Sequence, residues 1–365
     1  MKKILFTASI DSHILNFHIP YLKWFYERGF EVHVASNGTS EIPYVSKKYN
    51  VPIKRSPFNI ENMYGYKQLC RIINENNYYL IHCHTPMGGV LTRFAARSAR
   101  KRGTKVLYTA HGFHFYKGAP MKNWILYYPI EKLLSVFTDG LLTINHEDFE
   151  MAKTFINTKT FLVPGVGVDL EKFKPQKNEM KLLLREYYNF QKDDFILIYT
   201  AELSYRKRQD FLFDVIEQLK NKIPKIKLLL AGSGELYSKY LEVVRVKGIE
   251  KYVIFLGYRS DVSKLLEMSD LAVSSSRQEG LPVNVMEAMA VGLPIVVTNC
   301  RGNRDLVVNG VNGYTEKDPT GFANAILNIY HSRESDFGKK NQELIKKYSI
   351  STALERVGEI YKEYL

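Results

Sequence analysis

The amino-acid sequence predicts an α/β protein made of two doubly wound domains, each a parallel sheet covered by helices. Three observations carry this reading. Short apolar runs alternate with helix-like stretches along the chain. The rhythm stops and restarts after the loop Pro164-Gly165-Val166-Gly167-Val168-Asp169. The length of 365 residues suits two domains at roughly 100–200 residues each.

In the first half, the expected strands are Ile4–Ala8, Glu31–Ser36, Leu80–His84, Lys105–His111, Leu141–Asn145 and Phe161–Val163. Helices such as Tyr21–Arg28 and Gly88–Arg102 separate them. In the second half, strands are expected at Phe195–Ala201, Lys227–Ala231, Val253–Leu256, Leu271–Ser275 and Ile295–Thr298, with helices including Arg208–Lys220 and Asp261–Met268. Strands alternating with helices give a parallel sheet with both faces covered. The expected division is 1–163 and 164–345, with 346–365 a helix returning to the first domain. Two such domains enclose a cleft, and ligands of open parallel sheets sit beyond the carboxyl ends of the strands. His84, His111, Asn145, Gly232 and Ser276 occupy such ends.

Composition narrows the partners. An apolar fraction of 45% is enough for two cores. No apolar run approaches the roughly 20 residues of a membrane helix. The start, Met1-Lys2-Lys3 then Ile4-Leu5-Phe6, has the look of a secretory signal, but Thr7, Ser9, Asp11 and His13 interrupt it, so a first strand is expected. Cys70, Cys83 and Cys300 are scattered and build no disulfide framework, which fits a reducing cytoplasm. The net charge is +13, and residues 1–165 hold 21 Lys/Arg against 11 Asp/Glu while 166–365 hold 30 against 27. A basic first half suits a polyanion, either nucleic acid or an anionic membrane surface. Arg93, Arg97, Arg100, Lys101 and Arg102 form a basic run with Phe94, Ala95 and Ala96. Phe113–Trp124, with Lys117 and Lys122, is a second basic and aromatic stretch, and together they favour the membrane. No nucleic-acid recognition motif accompanies the charge.

The most specific chemistry lies in Arg277-Gln278-Glu279-Gly280-Leu281-Pro282-Val283-Asn284-Val285-Met286-Glu287-Ala288, which follows an expected strand. Pro282 suits the first turn of a helix. Gly280 lets backbone approach a ligand closely. The free N–H groups of Leu281, Val283 and Asn284 can face an anion. Glu279 precedes the helix and Glu287 lies inside it. A carboxylate accepts two hydroxyls at once, so each can hold a vicinal diol.

This segment resembles the family-4 retaining glycosyltransferases of the GT-B fold. Further matches are Thr109-Ala110-His111-Gly112, the hinge Val163–Asp169, Ala231-Gly232-Ser233-Gly234-Glu235 and Gly257-Tyr258-Arg259-Ser260-Asp261-Val262. His111-Gly112-Phe113-His114-Phe115-Tyr116-Lys117-Gly118 resembles a bacterial branch that builds capsule and exopolysaccharide on lipid-linked intermediates. The resemblance implies that Glu279 contacts the donor sugar, Glu287 holds the ribose diol, and Gly280, Leu281, Pro282 and Val283 lie beside the diphosphate and sugar. It also implies that His111 is a cleft histidine near the donor sugar, that Lys207 sits on the diphosphate, and that Gly232 and Arg259 border the nucleotide.

Two departures stand out. The family's Gly-Arg before the lysine is here Ala201-Glu202, leaving Arg206 or Arg208 to replace the arginine. The family's glycine pair in the first loop is absent, and residues 10–18 carry Asp11, His13 and His18. His13, His18 and His114 are therefore expected on the acceptor side. His82-Cys83-His84 is not read as a metal site, because Cys83 would point away from its neighbours in a strand. There is no Asp-x-Asp, so no metal or other cofactor is expected. Gly232-x-Gly234 lacks the third glycine of a dinucleotide fingerprint, position 237 being Tyr.

The expected activity is transfer of a hexose or N-acetylhexosamine, with retention, from a nucleotide sugar (UDP is the expected nucleotide) to a lipid-linked glycan. The expected location is the cytoplasmic face of the plasma membrane, bound peripherally to anionic lipid. A nucleotide-sugar epimerase of the same architecture is the alternative enzyme. A nucleic-acid-binding protein is the alternative of another class.

Overall fold

The computed structural model describes residues 2–155, 158–332 and 336–365. The chain divides into two compact units, Met1–Val166 with Ile350–Leu365, and Gly167–Ser349. The strands of the first unit are β1 (Lys3–Ile10), β2 (Glu31–Asn37), β3 (Lys47–Asn50), β4 (Leu80–His84), β5 (Lys105–Ala110), β6 (Gly140–Thr143) and β7 (Lys159–Leu162). Those of the second are β8 (Phe195–Thr200), β9 (Ile226–Ala231), β10 (Val253–Gly257), β11 (Leu271–Ser274), β12 (Ile295–Thr298) and β13 (Tyr314–Glu316). The sheet orders are β3-β2-β1-β4-β5-β6-β7 and β10-β9-β8-β11-β12-β13. Every strand pairing is parallel. Both units are thus doubly wound, as the sequence predicts. The chain reverses its winding between β1 and β4 in one sheet and between β8 and β11 in the other.

The central strands are buried along most of their length because both faces are covered. β4 and β11 are buried at every position. The two strands that the sequence did not reveal, β3 and β13, are at sheet edges. Lys-Lys-Tyr-Asn and Tyr-Thr-Glu are only partly buried, so neither carries the apolar signature of a core strand.

The change of unit falls after Val166 and after Ser349, rather than at 163/164 and 345/346, for a local reason. Val163 N–H still bonds the carbonyl of Thr143 at 2.9 Å, which extends β7's pairing. Val168 N–H bonds Tyr348 O at 2.8 Å, which ties both to the second unit. The helix Ile350–Tyr364 belongs to the first unit. Its Tyr361 packs 4.6 Å from the ring of Phe25 and its hydroxyl meets His82 Nδ1 at 2.7 Å.

One helix is expected over Gly88–Arg102, but the basic run 93–102 spans two, Pro86–Ala95 and Arg97–Lys101. Arg97, Lys101 and Arg102 are exposed, whereas Arg93 points inward. Arg93 is 1% exposed, pairs with Glu131 at 2.8 Å and lies 3.9 Å over the Tyr108 ring. Arg100 forms a fork with Asp139. A buried guanidinium needs such a partner, since an unpaired charge in the interior is costly. Removing Glu131 leaves that cost in place: Glu131→Ala is expected to lower unfolding free energy by about 3–5 kcal/mol. Urea denaturation of the variant checks this, and a loss under 1 kcal/mol would mean that Arg93 finds water instead.

Candidate active site

The motif of the second unit forms at the carboxyl end of β11. Ser275 and Ser276 leave the strand fully buried, and Pro282 caps the helix Val283–Val291. Glu279 lies in the turn between, 5% exposed. Its Oε1 accepts from Lys207 Nζ at 2.5 Å and from Ser276 Oγ at 2.6 Å. Its Oε2 accepts from Arg206 Nη1 at 3.1 Å. Burial pushes the Glu279 carboxyl upward, but Lys207, Arg206 and the hydrogen bonds outweigh it and hold the group below its ordinary value. The carboxyl is therefore an anion, kept inside by two cations and a hydroxyl.

The lysine is placed by a second set of bonds. The Lys207 carbonyl accepts from Ser275 Oγ at 3.0 Å and Tyr199 Oη at 3.2 Å, and Tyr199 Oη meets Ser276 Oγ at 2.7 Å. Arg277 N–H bonds Arg206 O at 2.9 Å. Loops 201–208 and 275–279 are thus stitched together. Of the two candidate arginines, Arg206 is the one at Glu279. Arg208 instead starts the helix Gln209–Leu219 with φ 56° and lies 4.7 Å over Phe211.

Gly232 has a structural requirement of its own. Its φ is 156°, and a Cβ there would lie 1.9 Å from the carbonyl oxygen of Ala201. The Gly-Ser-Gly turn therefore lies directly on the loop that replaces the family's Gly-Arg. Arg259 is held by Asp261, with Nε to Oδ1 at 2.7 Å, beside Tyr188. It makes no contact with Glu279.

Glu287 stands apart from Glu279. It shares none of that cluster's partners and accepts no hydrogen bond from any described residue. Burial raises its carboxyl to about 7, against a weaker opposing pull from Lys172. Leu281, Val283 and Asn284 precede or open the helix, where backbone N–H groups lack intrahelical acceptors. Sequence reasoning missed Arg301, whose Nε donates to Glu279 O at 3.0 Å. The signal was present, because Cys300-Arg301-Gly302-Asn303 follows the carboxyl end of β12 just as the motif follows β11.

In the first unit, the structure gathers His13, His18, His84 and His111. One nitrogen of each lies within 4.8 Å of the others. His18 stacks on His84 at 3.8 Å, and His13 meets His111 edge-on at 4.8 Å. His111 Nε2 lies 3.5 Å from His84 Nδ1. Burial holds all four well below the ordinary imidazole value, His13 at about 4 with Arg55 contributing. They are neutral at physiological pH. Both nitrogens of His18, and Nε2 of His13 and of His84, have no hydrogen-bond partner. Cys83 does point away, donating to Leu107 O, and His82 is satisfied by Tyr361 and Thr109. His114 is outside the cluster, stacked on Tyr127 at 4.6 Å.

Comparisons with known proteins decide the family. A model described as "Glycosyl transferase 4-like" matches residues 3–145, and one described as "Glycosyl transferases group 1" matches residues 181–349. The Bacillus subtilis protein named as glycosyltransferase EpsD is 45% identical, over 100% of this chain and 97% of that one. The chain belongs to the family-4 glycosyltransferases. The UDP-Gal:alpha-D-GlcNAc-diphosphoundecaprenol alpha-1,3-galactosyltransferase of Escherichia coli is 27% identical over 83% of this transferase and 80% of its own length. The crystal structure of Anabaena HepE with UDP and glucose superposes with a TM-score of 0.80 at 20% identity, covering all of both chains. That likeness confirms the GT-B fold of the transferase.

The raised carboxyl of Glu287 has a consequence for stability. Between the unfolded value near 4.3 and the folded value of about 7, the native state binds the extra proton, so stability falls as pH rises through that window. Glu287→Gln is expected to gain roughly 2–3 kcal/mol at pH 8 and much less at pH 5. Denaturation curves at both pH values test this, and equal gains would refute the raised carboxyl.

Proposed function

We propose that this glycosyltransferase moves a hexose or N-acetylhexosamine from a UDP-sugar to a lipid-linked glycan with retention of configuration, in capsule or exopolysaccharide assembly. The observation that carries the donor assignment is the Glu279–Lys207–Arg206 cluster beside the open start of the helix Val283–Val291. A leaving diphosphate develops negative charge. Preorganised cations and N–H donors stabilise it most where water is excluded. Lys207, Arg206 and the N–H groups of Leu281, Val283 and Asn284 supply them. Glu279 accepts sugar hydroxyls and fixes the lysine, and Glu287 accepts the ribose diol. Gly232 and Arg259 border the nucleotide.

The first unit takes the acceptor. His111 serves the sugar being transferred, while His13, His18 and His114 face the acceptor. The neutral imidazoles of His13 and His18, which carry unpartnered nitrogens, are suited to hydroxyls, since each can donate once and accept once. The E. coli and Campylobacter relatives named for undecaprenol-linked substrates support a lipid-linked acceptor. No helix among the described residues is long and apolar enough to cross a membrane. Exposed Met121, Ile125 and Leu133 on the helix Met121–Ser135 support peripheral binding at the cytoplasmic membrane face, with Lys117 and Lys122 toward anionic lipid.

We assign no metal to the reaction. A metal-bound histidine ordinarily donates its second ring nitrogen to a carboxylate or carbonyl, and His18 has no such partner. At the donor site, Lys207 and Arg206 provide the charge that a divalent ion would otherwise give. EDTA is expected to leave turnover unchanged, whereas loss in EDTA with recovery on adding manganese would reverse this assignment.

Lys207→Ala is expected to lower kcat by about 10²–10³-fold, with a folded thermal melt. Glu279→Gln is expected to lose activity comparably, because it frees the lysine and weakens the grip on the sugar. Transfer assays with a panel of UDP-sugars, and the anomeric configuration of the product by NMR, check both. Wild-type turnover in either variant would remove the cluster from the mechanism.

A further inference from the structure

The helix Met121–Ser135 presents several apolar side chains to solvent. Its Glu131 is buried against Arg93, while Met121, Ile125 and Leu133 are 73%, 71% and 56% exposed. Beneath it lies a cavity of about 590 Å³ in the first unit, walled chiefly by Phe58, Met63, Val90, Phe94, Leu126 and Ile130. That volume is typical of a ligand site. The walls are apolar, and Phe58 and Met63 at its edge are themselves highly exposed.

A second cavity of about 480 Å³ is lined by Ser12, His13, Asn16 and Arg55. Five residues, Pro57, Pro86, Met87, His114 and Tyr127, line both spaces. The two are therefore neighbours with a common wall. The polar one differs in chemistry. Arg55 has no carboxylate partner among the described residues, and Thr85 and Pro86 open the ten-residue helix Pro86–Ala95, in whose first turn the N–H of Met87 has no intrahelical acceptor. His13, which lines the same cavity, carries an unpartnered Nε2 and meets His111.

We propose that this pair of cavities is a binding site for a prenyl diphosphate. The apolar space takes the first isoprene units, and the polar space takes the diphosphate on Arg55 and the helix start. A sugar attached to the diphosphate is then delivered to the histidine cluster. An apolar space sharing a wall with one that holds a cation and a hydroxyl-binding imidazole matches the parts of a lipid-linked sugar. An acyl lipid of the bilayer would fill the apolar space but would give the histidines nothing. The proposal rests on the lipid-linked acceptor reading above and gives it a place.

Farnesyl diphosphate, which carries no sugar, is the probe. Calorimetric titration of the full chain is expected to show saturable binding. Val90→Trp, which fills the apolar space, and Arg55→Ala, at an exposed position, should each weaken it at least tenfold. Inorganic diphosphate and farnesol should each compete at least tenfold less well. Thermal melts verify that both variants are folded. Equal binding by the wild type and Val90→Trp, no binding at all, or equal competition by inorganic diphosphate would overturn the site. Transfer assays separate the two readings. Binding of the probe without transfer to any prenyl-linked sugar keeps the site and rejects the acceptor reading. Transfer with an unchanged KM in Val90→Trp and Arg55→Ala keeps the acceptor reading and rejects the site.

Discussion

The second unit is organised around one buried anion. The Glu279 carboxylate is buried in the turn beyond β11, and an ionised group there is tolerable only when paired and hydrogen-bonded. Lys207, Ser276 and Arg206 meet that demand. Each must then be held in turn, by Tyr199, by Ser275 and by the carbonyls of the 201–208 loop. The loop can lie where it does because Gly232 and Gly234 present no side chain to Ala201 and Leu203. A requirement of charge at one atom thus propagates into backbone contacts between three loops.

The same carboxylate type is treated in opposite ways eight residues later. Glu287 is half-buried, without a cation close enough to outweigh desolvation, so its carboxyl rises to about 7. One glutamate of the motif is a fixed anion and the other titrates near neutrality. Environment, not residue type, separates their tasks. The first unit uses a third arrangement, in which four imidazoles are kept neutral by burial and by each other. Polar groups left unpaired in an interior cost free energy, about 1–3 kcal/mol each.

Much of this was legible in the sequence. The strands with strong apolar runs, such as Leu80–His84 and Ile295–Thr298, have the expected bounds, because burial on both faces writes itself directly into composition. Edge strands do not, and Lys47–Asn50 was invisible for that reason. The donor motif was readable because its residues are contiguous and its glycine and proline have fixed backbone uses. The burial of Arg93 was not legible, because an arginine that turns inward toward a glutamate 38 residues away looks the same in sequence as one in solvent. The histidine cluster joins positions 13, 18, 84 and 111 from three strand ends, and no local pattern announces it. What joined them was the sheet order, with β1 beside β4 and β4 beside β5.

The helix Ile350–Tyr364 has an implication for biogenesis. The second unit is continuous in the chain, whereas the first needs residues 350–365 to cover Trp24, Phe25 and the His82 side. Domains fold largely as they leave the ribosome. The first unit is made first but is completed last, after the whole second unit has been synthesised. During that interval its unfinished face is a natural client for a holding chaperone, and a nonsense mutation at codon 350 would leave the first unit open.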